Sequence, residues 1–362
     1  MEELEALVIL SSFPYLGPIK IKLLIEHFGS ALEALSARPN ELSQLPGFGP
    51  KVMAAWQQGW GREQAEANLA LAERLQVQLI PYTSPHYPKR LLEIADHPVL
   101  LYVKGEIAKK DQRCLAVIGT RAASIYGQEM AHRLSCELAQ AGFTIVSGLA
   151  RGVDTAAHRG ALEAGRTIGV LGSGLACIYP EENRGLAEFI CQRGALISEF
   201  PMTTPPDRSH FPQRNRIVSA LTLGTILIEA PLKSGAMLTM RNALEQGRPL
   251  FALPGRADQE NFRGNHALIK LRKATLIEGA IDVITHFDEQ ALPLLFHQPA
   301  RPRVALEQEE EALLRHLPVE ELSIEEIGRR SGLPMTRLNI LLMSLVLKKI
   351  IKQYPGKIYR KV

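Results

Sequence analysis

Between residues 114 and 253 the chain repeats one rhythm: a short apolar, largely β-branched run, usually a glycine, then a stretch with apolar positions three and four apart. The runs are Cys114 to Ile118, Phe143 to Val146, Thr167 to Leu171, Ala195 to Ser198, Thr225 to Ile228 and Pro249 to Leu253. Strands that are apolar throughout, rather than alternately, are buried on both faces, and alternation with amphipathic helices makes the sheet parallel. The pattern predicts an α/β fold, an extended Rossmann-like doubly wound sheet, over residues 81–285. Its glycine-rich loops fall at the carboxyl ends of the strands, where such sheets bind ligands.

The flanking segments follow other periods. Residues 1–80 read as short helices with two similar turns, Leu16-Gly17-Pro18 and Leu45 to Lys51, resembling paired helix-hairpin-helix units in a small all-α, SAM-like domain. Such turns either meet a phosphate through helix N-termini or merely turn the chain. A linker at 286–304, with Pro293, Pro299 and Pro302, leads to a third domain at 305–362. There Ser323 can cap a helix from Ile324 to Arg330, Gly332-Leu333-Pro334 turns, and Thr336 to Lys349 forms the next helix. With a hairpin at Tyr354 to Lys357 this is a winged-helix pattern, docking either on DNA or on protein. The helix offers bases only Arg337, Asn339, Ser344 and Lys348.

Composition narrows the classes. With 362 residues and 46% hydrophobic positions the chain can bury at least one large core. It has no apolar run long enough for a bilayer and an acidic start, Met1-Glu2-Glu3-Leu4-Glu5, so the expectation is a cytoplasmic protein with no membrane partner. Cys114, Cys136, Cys177 and Cys191 form no Cys-x-x-Cys pair and read as buried small apolar residues; neither a metal nor a cofactor is called for. A net charge of +4 permits a polyanion without demanding one.

The loops decide the chemistry. No Walker A string is present, and Gly172-Ser173-Gly174 has Cys177 where the dinucleotide fingerprint needs its third small residue. Four loops instead hold anion donors: Gly119-Thr120-Arg121 with Ser124; Ser147 to Gly152 with Asp154; Gly172 to Gly174; and Lys233-Ser234-Gly235. The string His210 to Val218 sets Arg214-Asn215-Arg216 beside Phe211, a phosphate clamp with a stacking ring, as single-stranded nucleic acid requires. The alternative is a buried arginine paired with Glu199 or Glu229. Arg216 can be structural while Arg214 faces the ligand.

These strings, in this order, resemble the successive signatures of the DNA processing protein A (DprA/Smf) family: Gly119 to Gly127, Val146 to His158, Ser198 to Pro201, Phe211 to Ile217, and Glu229-Ala230 with Ser234-Gly235. The resemblance implies a Rossmann domain that binds single-stranded DNA in a basic pocket, dimerises, and helps load the RecA recombinase during natural transformation. The DNA-binding residues it assigns are Arg121, Ser124, Gly148, Arg151, Gly152, Phe211, Arg214, Asn215, Arg216, Lys233, Ser234, Gly235 and Lys270, with no catalytic residue. Apolar stretches at Ala220 to Leu223 and Met237 to Met240 are candidates for the dimer contact or for core. Two departures stand out: Cys177 where a polar residue is common, and Gly264 to Lys270, which only approximates the family's late glycine-asparagine loop.

Two other readings compete. A nucleoside-monophosphate-cleaving enzyme of a related Rossmann family would need an acid within a Pro-Gly-Gly-x-Gly-Thr-x-x-Glu loop. This chain has Glu229 to Gly235 there, leaving Asp154, Glu199 and Glu229 as candidate carboxylates. A transcriptional regulator would read DNA with the tail and sense a ligand with the sheet.

Overall fold

Along β3 (Cys114–Ile118) successive side chains enter opposite cores, Leu115 and Val117 on one face of the sheet, Cys114, Ala116 and Ile118 on the other. The same double burial explains the apolar runs that become β4 (Thr144–Ser147), β5 (Thr167–Val170), β6 (Ala195–Ser198), β7 (Thr225–Leu227) and β8 (Leu250–Ala252). This computed structural model describes residues 2–59, 61–288, 306–317, 321–348 and 350–361. It divides into two units, Met1–Leu292 and Pro293–Val362.

The sheet of the first unit has nine strands in the order β1-β2-β6-β5-β4-β3-β7-β8-β9. Strands β6 to β9 across this order are parallel, and the chain reverses its direction of travel between β3 and β7, the switch point of a doubly wound fold. Helices α7 (Ile125–Gln140), α8 (Val153–Ala164) and α13 (Ala280–Phe287) cover one face. The other is covered by α10 (His210–Ala220), α11 (Gly235–Glu245) and α12 (Arg263–Lys270).

Three strands go beyond the apolar rhythm. Strands β1 (Val77–Pro81) and β2 (Leu100–Gly105) add an antiparallel extension beside β6, and the two-residue β9 (Thr275–Leu276) forms the far edge. β1 starts inside the stretch that the pattern assigns to helices.

Helices α1 (Glu3–Ser12), α2 (Pro18–Phe28), α3 (Ala31–Leu35), α4 (Pro39–Leu42), α5 (Pro50–Gln57) and α6 (Arg62–Arg74) make up the first segment. Gly17 and Gly49 precede the prolines that open α2 and α5, where a missing N–H costs nothing. The segment shares one apolar cluster with the sheet: Leu7, Leu10 and Leu24 belong with Leu171, Leu175 and Met202, and with Ile190 of α9 (Arg184–Arg193). Asn68 of α6 ties the two together, its Oδ1 accepting from the Met202 N–H at 2.7 Å.

Ala220, Leu221, Thr222, Thr239 and Met240 are buried, so most of the stretches weighed as a dimer contact are core; Leu223, Met237 and Leu238 are half-buried. Of the four free cysteines only Cys114 is fully buried; Cys136, Cys177 and Cys191 are partly exposed, which corrects the uniform expectation. Among the described residues no helix is long and apolar enough to cross a membrane.

His158 of α8 lies fully buried under the sheet. Its Nδ1 donates to Thr167 Oγ1 at 2.6 Å, because that hydroxyl already donates to the Ile145 carbonyl, and Nε2 has no partner. Burial, reinforced by the Arg214 charge, pushes the imidazole down to about 3 from 6.5. The unfolded chain binds this proton more readily, so the stability is fully present above pH 6.5 and falls as the pH drops toward 3. Buried Glu199, raised to about 6, acts in the opposite sense below that pH. Comparing His158→Asn with the parent by urea unfolding cancels that opposing contribution. Between pH 7 and 5 the parent should lose about 2 kcal/mol more than the variant; equal losses would mean that His158 does not titrate as argued.

The second unit contains α14 (Gln308–Arg315), β10 (Leu322–Ser323), α15 (Ile324–Ser331), α16 (Met335–Leu347), β11 (Ile351–Tyr354) and β12 (Ile358–Lys361), with sheet order β10-β12-β11. This is a winged helix, and Ser323 caps α15 by accepting from the Glu326 N–H. The proline linker, from residue 289 on, and Lys349 lie outside the described residues.

Candidate nucleic-acid interface

At the switch point the loops after β3, β4 and β7 enclose a cavity of about 500 Å³, with the first turns of α10 and α11 as its other walls. Arg121, Gly148, Phe211, Arg214, Asn215, Lys233, Ser234 and Gly235 all line it. Arg208 joins them, on the loop before α10, a residue that strand-to-helix spacing passes over.

The local reasons are specific. Phe211, Arg214, Asn215 and Val218 recur at helical spacing on α10, so one face of that helix turns to the cavity. Arg216 turns elsewhere. It pairs with Glu199 and, at 3.2 Å, with Asp96, and is a structural arginine. Helix α11 opens at Ser234, whose Oγ is buried, has no hydrogen-bond partner and caps nothing. The uncapped N-terminus of α11, at Gly235 and Ala236, therefore lines the cavity, the arrangement that accepts an anion.

Arg214 differs from the expectation that it faces the ligand. It is 4% exposed, and its Nη1 donates to the carbonyls of Gly148, at 2.5 Å, and Val170, while Nε donates to Asn215 Oδ1 at 3.2 Å. A Cβ on Gly148 would stand 2.5 Å from the guanidinium, so only glycine fits above it. Burial lowers the Arg214 pKa to about 10 despite the nearby Asp154 charge, leaving it a cation at neutral pH. Its place is the floor of the cavity.

The Gly148 loop is also less bare than expected. Asp154 Oδ2 accepts from the N–H groups of Gly148 at 3.1 Å and Ala150 at 3.3 Å, and Asn183 Nδ2 donates to the Leu149 carbonyl at 2.9 Å. Gly152, at φ +73° and close against the Thr120 and Arg121 carbonyls, lets α8 start there. The Gly172 to Gly174 loop does not reach the cavity: Gly174 N–H donates to Thr204 and Ser173 Oγ to Cys177. Three loops converge, not four.

Three other assigned residues have other partners or places. Ser124 caps α7 and donates to Glu229 Oε2 at 2.7 Å; Arg151 forms a two-pronged exposed pair with Glu182 at 2.6 and 2.7 Å; Lys270 is exposed at the end of α12, off the cavity. Asn265 of the late glycine-asparagine stretch is a buried staple, donating to the Leu227, Ile228 and Leu253 carbonyls and accepting from Ala230.

The remaining charge is positive. Arg121, Arg208 and Lys233 reach the cavity exposed and without an ion pair among the described residues, against one buried carboxylate, Asp154. The Arg121 guanidinium lies 4.7 Å from the centroid of the Phe211 ring, a cation–π contact that leaves its N–H edges free. Phe211 also packs on Gly172, which fixes the ring beneath Arg121. Tyr179, 42% exposed and tilted against Phe211 at 6.0 Å, lines with Phe211, Arg121 and Arg151 an adjoining annex of about 260 Å³.

The three carboxylates that could serve an enzyme are committed: Asp154 to its loop, Glu199 to Arg216, and Glu229 to Ser124 and Asn261. In the winged helix, Arg337 bonds Glu309, Asn339 the Met335 carbonyl, and Ser344 and Lys348 both bond Glu310. Met335, Ile340, Met343 and Leu347 stand exposed on α16, so the helix that would read bases shows solvent an apolar face.

Residues 78–288 match the family described as DNA recombination-mediator protein A, and residues 297–357 match the DprA winged helix domain. Protein Smf of Escherichia coli K12 is 40% identical over 82% of this chain and 80% of its own. The crystal structure of DNA processing protein A from Streptococcus pneumoniae superposes with a TM-score of 0.66 at 30% identity, covering 79% of this chain and 98% of that one. The Helicobacter pylori protein, whose structure was analysed for its single-stranded DNA binding mode, gives 0.55 at 33% identity, covering 60% and 97%.

Proposed function

Because the chain belongs to the DNA recombination-mediator protein A (DprA/Smf) family of DNA-processing proteins, we propose that it binds single-stranded DNA in the cavity at the switch point. The observation that carries this reading is the set of three unpaired cations, Arg121, Arg208 and Lys233, around the open N-terminus of α11. Phosphates meet the cations and the helix end, and a base stacks on Tyr179 in the annex. Arg214 supports the floor from beneath. The single-stranded DNA binding mode of the Helicobacter pylori relative supports the same ligand.

We propose, as finer roles consistent with the family, that the protein acts in the cytoplasm as a homodimer and hands the strand to the RecA recombinase during transformation. Leu271 and Leu276, 64% and 46% exposed at and beside edge strand β9, support dimerisation better than the core stretches do. An exposed edge invites a second strand. RecA filament formation on covered single-stranded DNA, with and without the protein, tests the last step.

The first unit contains the whole cavity. A fragment of residues 1–292 should therefore bind single-stranded DNA within about threefold of the intact chain, a difference of roughly 0.6 kcal/mol, and prefer it to duplex at every salt concentration. A cut at residue 80 would sever β1 and uncover the shared core, so it is not the fragment to use. A folded 1–292 fragment that binds no single strand would move the site to the tail.

A further inference from the structure

A second cavity, also of about 500 Å³, opens at the opposite end of β3 and falls in the size range of small-molecule sites. Its floor is apolar: Cys114, Ile168, Ile197 and Leu221 are all buried, and Tyr87 joins them with its hydroxyl already donating to the Pro98 carbonyl at 2.7 Å. Two short turns, Lys89–Glu93 and Lys109–Gln112, form the mouth.

The charge at that mouth is unbalanced. Asp111 accepts two bonds from Arg166, each 2.9 Å, one from Thr144 at 2.7 Å and one from the Ala108 N–H at 2.8 Å, so nothing is left to neutralise a lysine. Glu93 is taken by Arg248 at 2.6 Å. Lys89, Arg90 and Lys109 remain, with His86 beside them, and none of the three cations has an ion pair among the described residues. Arg90 donates to the Gln112 carbonyl at 3.0 Å, which fixes its guanidinium at the rim.

We propose that this cavity binds a small phosphomonoester carrying a flat, weakly polar group, with the phosphate held by Lys89, Arg90 and Lys109 and the flat group on the apolar floor. One planar fork and two point charges from separate turns suit a compact dianion better than a single carboxylate. The floor supplies the second half of the recognition through burial of apolar surface. The site lies at the opposite end of the sheet from Arg121 and does not depend on the DNA reading.

Calorimetric titration of the intact protein with adenosine monophosphate tests it, with phenyl phosphate and inorganic phosphate as further probes. The expected result is saturable binding that the K89E/K109E protein loses by at least tenfold and that Arg121→Ala retains. Both lysines are exposed, so the double variant should keep the parent's melting temperature. Inorganic phosphate should bind at least tenfold more weakly than the nucleotide. Phenyl phosphate equal to the nucleotide would support the proposal and point to aryl phosphates as the source. Absence of saturable binding at millimolar nucleotide, loss of binding in Arg121→Ala, or inorganic phosphate binding as tightly as the nucleotide would each overturn it.

Discussion

Arg214→Ala should destabilise the first unit by about 3 to 5 kcal/mol, the scale for deleting one member of a buried charged set. The guanidinium holds two main-chain carbonyls from different loops, Gly148 and Val170, and its removal leaves both without that donor and Asp154 without its nearby cation. Arg214→Lys retains the charge but lacks the planar fork that reaches both carbonyls and Asn215, so it should lie between alanine and the parent. Chemical denaturation of the three proteins at pH 7 decides the matter. A fully stable Arg214→Ala protein that has lost DNA affinity would make Arg214 a ligand contact instead of the floor.

The second large effect concerns the exposed cations. Replacing Arg121 and Lys233 together by alanine should weaken single-stranded DNA binding about a hundredfold at fixed salt, roughly tenfold for each charge-assisted phosphate contact. Each lost contact also releases fewer counterions, so the slope of log affinity against log salt should become shallower by roughly 0.7 per residue, about 1.4 in all. All base sequences should suffer alike, because neither residue reads a base edge. Fluorescence anisotropy over a salt series measures both quantities at once. An unchanged slope would show that the two side chains do not meet phosphate, and a loss confined to certain sequences would favour a sequence-specific reader.

The strands of the parallel sheet were legible because burial on both faces leaves its mark on every residue. Strand β9 was not, since two residues with exposed side chains carry no pattern, and β1 was hidden by the helical stretch it follows. The site was legible as a set of loops but not in its orientation. Arg214 and Arg216 lie two apart, so on a helix they point about 200° from one another and cannot close on one phosphate. Which faces inward is a tertiary matter: Glu199 and Asp96 claim Arg216, and the carbonyls of Gly148 and Val170 claim Arg214. The sequence offered Glu199 and Glu229 equally as a partner. Glu229 is occupied by Ser124 and Asn261 through contacts more than thirty residues distant in sequence.

The unbroken apolar cluster between the first six helices and the sheet has a consequence for how such a chain can change over generations. Leu171, Leu175 and Met202 lie within the same packed body as Leu7, Leu10 and Leu24. A recombination event that exchanged the leading helices for an unrelated module would strip those side chains of their cover. The boundary that the sequence marks near residue 80 is thus not a seam, and variation in that head must proceed by substitution on both sides of the contact together.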